Sequence, residues 1–152
     1  RIIKELKGNA DFKVEVPVCP FDCESNIPTE DMVKHIKSCE YKCGEEYMKL
    51  NTEVEIWSNT VFFKLEESRD WFICNHEYVD GKEVFYIMHH SEEETKDVFY
   101  YSVRGSKDGE IMKYELVRCA PMGISRKDAL DNNFTTTNIT FYKEITFTIY
   151  KA

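Results

Sequence analysis

VCPFDCESNIPTEDMVKHIKSC, residues 18–39, carries the pattern C-x3-C-x11-H-x3-C. Its four side chains, Cys19, Cys23, His35 and Cys39, are the soft and borderline donors that tetrahedral zinc takes, usually two from a turn and two from a helix. Cys19-Pro20-Phe21-Asp22-Cys23 is short and proline-bearing, as a turn requires. Ile27-Pro28-Thr29-Glu30-Asp31 reads as a helix start, with Thr29 as N-cap and acids in the first turn. From there His35 and Cys39, four residues apart, share a helix face and can reach one ion. Met32 and Ile36 form an adjoining apolar strip, and Phe21 is placed to plug the site from beneath. Four protein ligands leave no open coordination position, so the expected ion, a single zinc, is structural and not catalytic. A piece this small cannot bury a core alone, and the metal would supply much of its folding energy. The competing reading is a set of buried thiols beside a chance histidine.

The six cysteines are Cys19, Cys23, Cys39, Cys43, Cys74 and Cys119. An even count in a short chain also suits three disulfides in a secreted protein, where Asn133-Phe-Thr135 and Asn138-Ile-Thr140 would serve as glycosylation sequons. Four of the six crowd together around a histidine, which favours metal and a reducing compartment, cytoplasmic or nuclear. Cys43 follows Cys39 by four and can stand in for one ligand. No further Cys/His cluster supplies a second finger or the eight ligands of a cross-braced RING, so no catalytic residues are assigned within the chain.

Beyond residue 50 the pattern changes to short alternating runs rich in aromatic and β-branched residues. Expected strands cover 53–57, 61–65, 71–78, 83–89, 98–104, 111–117, 137–142 and 144–150, with hairpin tips at Asp80-Gly81 and Asp108-Gly109. In the last strand Ile145, Phe147 and Ile149 alternate with Thr146, Thr148 and Tyr150, so one face is expected to be buried. Residues 84–88, VFYIM, are apolar throughout, as in a central strand covered on both sides. One helical stretch, 125–130, interrupts the strands. The fold class is therefore mainly β: a zinc-finger module over residues 1–49, then an antiparallel β-sandwich of seven or eight strands over residues 50–152.

Apolar residues make up 42% and aromatic residues 14% of the chain, enough for a packed core and against disorder. A net charge of −8 without a basic stripe repels phosphate backbones, so nucleic acid is not an expected partner. No apolar run approaches the ~18–20 residues that span a bilayer, so no membrane partner is expected either. The opening Arg1-Ile-Ile-Lys-Glu has neither an initiator Met nor a signal-peptide core, which is expected of an excised or processed chain.

Other residues invite chemistry and are assigned bland roles. His89 and His90 are neighbours on a strand and face opposite ways, so they do not converge on a metal. His76 is read as a strand histidine. Cys74 and Cys119 are read as small core residues, with Cys74–His76 on one strand face as the only thiol–imidazole pair to consider as a nucleophile.

The ordered set resembles the substrate-binding region of the seven in absentia (SINA/SIAH) family of RING ubiquitin ligases. Cys23-x11-His35-x3-Cys39-Glu40-Tyr41 carries the resemblance first. It continues in Trp71-Phe-Ile-Cys74 with residues 78–87, YVDGKEVFYI, then in residues 97–103, DVFYYSV, and in the closing segment 138–149. The first ligand pair is closer together than in the family, a second finger is missing, and residues 56–65 do not reproduce the family's peptide-docking sequence. The resemblance implies a sandwich like the TRAF receptor-binding domain. It also implies capture of protein partners and substrate peptides, homodimer formation, and an upstream RING that recruits the ubiquitin-conjugating enzyme. An extended peptide would add to a sandwich edge, for which Val61, Phe62 and Phe63 beside Trp57 offer apolar anchors; the same aromatics also read as inward-facing core. Two further readings stay open: a non-ligase scaffold that keeps the sandwich without a RING, and a nucleic-acid-binding zinc protein.

Overall fold

Two-residue alternation assigns the faces of every long strand, and in this computed structural model both faces of one sheet are apolar. The structure describes residues 6–23, 26–41, 45–56, 59–79, 82–93, 97–113, 115–137 and 144–152. Among them are eleven strands: β1 (Glu45–Met48), β2 (Val54–Glu55), β3 (Thr60–Leu65), β4 (Asp70–Val79), β5 (Lys82–Ser91), β6 (Phe99–Lys107), β7 (Glu110–Lys113), β8 (Val117–Arg118), β9 (Ala120–Pro121), β10 (Thr136–Thr137) and β11 (Glu144–Lys151). Two helices, α1 (Met32–Ser38) and α2 (Arg126–Asp131), complete the set after a 3-10 turn at Thr29–Asp31.

The first sheet has the order β1-β3-β4-β5-β10, with β9 also on β5; the second has β2-β11-β6-β7, with β8 also on β6. All pairings are antiparallel except β1 with β3 and β9 with β5. The chain is thus mainly β, two stacked sheets with a Cys/His cluster near the N-terminus. Four of the strands are two-residue pieces, and the seven longer ones build the body of the sandwich.

Between the sheets, Phe63, Phe72 and Phe85 of the first meet Phe99, Tyr101 and Phe147 of the second. Phe72 and Phe99 are edge to face at 5.3 Å, Phe85 and Tyr101 at 5.5 Å, and Phe63 lies 5.5 Å from Phe147. Such pairs add stability beyond the area they bury. The Tyr101 hydroxyl, fully buried, donates to the Phe134 carbonyl at 2.6 Å and so meets its need for a partner.

The opposite face of the first sheet is covered as well. Phe62, Trp71, Ile73, Val84, Tyr86 and Met88 join Cys19, Met32, Val33, Ile36 and Cys39 in one apolar cluster. This is why residues 84–88 lack alternation: Phe85 and Ile87 point between the sheets, while Val84, Tyr86 and Met88 point at the leading segment. Lys37 on α1 places its ammonium 4.3 Å from the Trp71 ring centre, and Trp71 stacks on Phe62 at 4.9 Å. The Trp71 indole N–H donates to the Glu92 carboxylate, which also lies 3.9 Å from Lys37.

Several local expectations meet their structure directly. Asp108 and Gly109 have φ of 51° and 84° and join β6 to β7 in a two-residue tip, with Lys107 opposite Glu110. The expected helical stretch 125–130 is α2, and Ser125 caps it, its hydroxyl accepting from the Asp128 backbone N–H at 3.1 Å. In β11, Ile145, Phe147 and Ile149 are buried. Thr29 is a correction: it begins the 3-10 turn after Pro28, and no side chain caps either that turn or α1. Proline's fixed φ starts the tight turn without a hydroxyl's help. The expected tip at Asp80-Gly81 lies outside the described residues, as do Cys43 and most of 137–142.

Candidate metal centre

The turn after Val18 is built by its own backbone, the Asp22 N–H donating to the Cys19 carbonyl at 2.9 Å and Asp22 taking φ 58°. That bend turns both thiols to one side. The turn is anchored to the sandwich by the Val18 N–H, which donates to the Gly123 carbonyl at 2.9 Å. From the other side α1 buries Met32, Val33 and Ile36 against the sheet. His35 on this helix and Cys39, which follows it as the extended C-cap and not on the helix face the sequence suggested, then face the turn's thiols.

Cys19, Cys23, His35 and Cys39 bring their ligand atoms within 4.8 Å of one another, a compact site able to hold a metal ion. The Cys23 Sγ and His35 Nε2 are 3.0 Å apart, and the Cys19 and Cys39 sulfurs 3.8 Å apart. Cys19 is fully buried and Cys39 is 9% exposed. Burial pushes the Cys19 thiol up, and the Cys23 thiol is pushed up to about 12 by desolvation together with Cys19 and Cys39 beside it. Burial and neighbouring sulfurs thus favour the protonated thiols of Cys19 and Cys23, and a cation would reverse that preference. The donor set fits a metal because three sulfurs and one imidazole nitrogen converge on one point.

Cys19, Cys23, Cys39, Cys74 and Cys119 are all free thiols, and the 3.8 Å between Cys19 and Cys39 is far beyond a disulfide bond. Cys74 and Cys119 lie in the layer between the sheets, where burial drives both thiols up. His76 pairs instead with Glu83 at 3.2 Å, so Cys74 is a core residue and no nucleophile. His89 donates from its ring to Asp70 at 2.8 Å and packs at 4.5 Å on Phe99; it is a structural residue closing one end of the sheet layer.

The proposed peptide edge needs correction. Val61, Phe62 and Phe63 are 6%, 0% and 2% exposed, and their strand β3 is paired with β1 on one side and β4 on the other. No peptide can add there, because the backbone groups are already bonded. The aromatics are core, Phe62 on the outer face and Phe63 between the sheets. Trp57 lies outside the described residues. Sequence reasoning missed β1, residues 45–48, because EEYM is too short and too charged to show strand alternation.

No family model matches the chain, and no curated protein matches it. No helix among the described residues is long and apolar enough to cross a membrane.

Proposed function

We propose that the chain is a protein-recognition domain of a SINA-like ubiquitin ligase, with one structural zinc at Cys19, Cys23, His35 and Cys39. The observation that carries this reading is the placement of the metal cluster on the outer face of a sandwich sheet, where its helix and turn complete the core. A metal in that position stiffens a binding platform and leaves chemistry to another part of the protein. Zinc is favoured by three sulfurs and one imidazole. The 3.8 Å between Cys19 and Cys39 is also close to the edge of a tetrahedron with bonds of about 2.3 Å.

In this reading an extended segment of the partner pairs with β1, the outermost described strand of the first sheet. Glu45, Glu46 and Tyr47 are exposed there, Tyr47 at 62%, so the edge favours a basic peptide with an apolar side chain to lay on the tyrosine ring. Homodimer formation belongs to the same reading, and sedimentation of the purified chain reads it. Ligase activity belongs to a RING of the full-length protein.

Selection of the zinc-loaded domain against a displayed library of random peptides tests recognition. Enriched extended sequences that slow amide exchange over residues 45–48 are expected. Failure to enrich any sequence removes the proposal. Reconstitution of the full-length protein with activating and conjugating enzymes then separates the two adaptor types: ubiquitin chains mark a ligase, and peptide binding without them marks a scaffold.

A further inference from the structure

The outer face of the first sheet is not covered evenly. The metal turn and α1 cover Trp71, Ile73 and Met88, while Asn75, Glu77 and Tyr86 floor a cavity of about 700 Å³ between that turn and α2. This volume lies in the range of small-ligand pockets. Pro20, Ile124 and Leu130 give it apolar walls, and Asp22 and Arg126 stand at its mouth.

The floor is polar, and it is buried. Asn75 is 3% exposed and Tyr86 2% exposed, yet both line the cavity. The Asn75 side-chain amide donates to the Tyr86 hydroxyl oxygen at 2.8 Å. That hydroxyl therefore has its own hydrogen to give, and among the described residues no acceptor takes it. Asn75 retains a second N–H. Beside these donors sits the Glu77 carboxylate, ion-paired with the Arg126 guanidinium, whose other end lies 3.9 Å from Asp22. The Tyr86 hydroxyl hydrogen and the Glu77 carboxylate both line this cavity, and together they offer a ligand two complementary halves.

We propose that this cavity binds a primary carboxamide on a small apolar body. The amide oxygen accepts from Tyr86, its NH2 donates toward Glu77 and Asp22, and the body lies against Pro20, Ile124 and Leu130. A neutral amide suits the cavity better than an ion. The lining carries both signs, Asp22, Glu77 and Asp131 against Arg126 and Lys127, so either ion meets like charge there. Two sources present this group: a Gln or Asn side chain of a docked peptide, and a free small carboxamide. The inference stands whether or not β1 pairs with a partner strand.

Titration of the zinc-loaded chain with benzamide, benzoate and benzylammonium, followed by amide and side-chain NMR, tests it on the unaltered protein. Benzamide is expected to shift Asn75, Tyr86 and Ile124 saturably, with the two ions at least about tenfold weaker. Tyr86→Phe keeps the ring and is expected to weaken benzamide about tenfold, the loss of one buried hydrogen bond. Equal response to all three probes, no saturable shift, or a folded Tyr86→Phe that binds as tightly as the parent overturns the proposal. The three-probe comparison decides even where Tyr86→Phe does not fold. A capped glutamine run alongside identifies the source: tighter binding than benzamide assigns the site to a peptide side chain, weaker binding to a free carboxamide.

Discussion

Cys39 ends α1 with its sulfur facing that of Cys19, so replacing it removes a donor without touching the strands. Cys39→Ser and His35→Ala are each expected to weaken metal binding on the order of a hundredfold or more, since even supporting contacts at such sites are worth about 10–100-fold. Elemental analysis after gel filtration reads this, with Cys74→Ala retaining its full metal content as the control. Asp70 is another residue whose role is readable. Burial works to raise its carboxyl, but the hydrogen bond and charge of His89, with Ser68 and Ser91, outweigh burial and hold it below the usual range. A carboxyl lowered in the folded state contributes stability at and above the ordinary aspartate value, about 3.9, and loses it as pH falls through the lower folded value. Acid unfolding of the parent should therefore steepen below about pH 4, and Asp70→Asn should flatten that slope. Equal slopes in the two proteins would remove Asp70 from the account.

At the scale of elements, one glycine sets a close approach between the Cys/His module and the sandwich. Gly123, between β9 and α2, has φ +88°, and a Cβ there would stand 2.9 Å from the Met32 methyl and 3.2 Å from Pro17. Gly123→Ala is expected to cost about 1–3 kcal/mol through backbone strain and displacement of Met32, read as a lower midpoint in urea. Phe62→Ala, at a fully buried site under α1, should cost about 3–5 kcal/mol. Ser125→Ala at the start of α2 should cost only about 1 kcal/mol, because it removes one cap. This helix was legible in the sequence as the stretch 125–130, and its cap is a bond to the Asp128 backbone N–H. The start of α1 was not: proline set the local turn, and packing of Met32, Val33 and Ile36 holds the helix without a cap.

For the molecule as a whole, the Cys/His cluster and the outer face of the first sheet share one apolar cluster. Chelation should then lower the thermal midpoint of the entire chain and speed amide exchange in β4 and β5 as well as α1. Melting of α1 alone, with β4 and β5 unchanged, would show the two parts to be independent. The sequence by itself determined which four Cys/His side chains cluster, the alternation of β11, the double-sided character of β5 and the Asp108-Gly109 tip. Each depends on spacing within a few residues, where helix and strand periods act directly. Tertiary structure decided that β3 is interior, that β1 is the outermost described strand, and that a polar-floored cavity separates the cysteine turn from α2. Those outcomes depend on which distant segments meet, and burial and hydrogen-bond pairing between them are set only when the sheets and the leading segment close on one another.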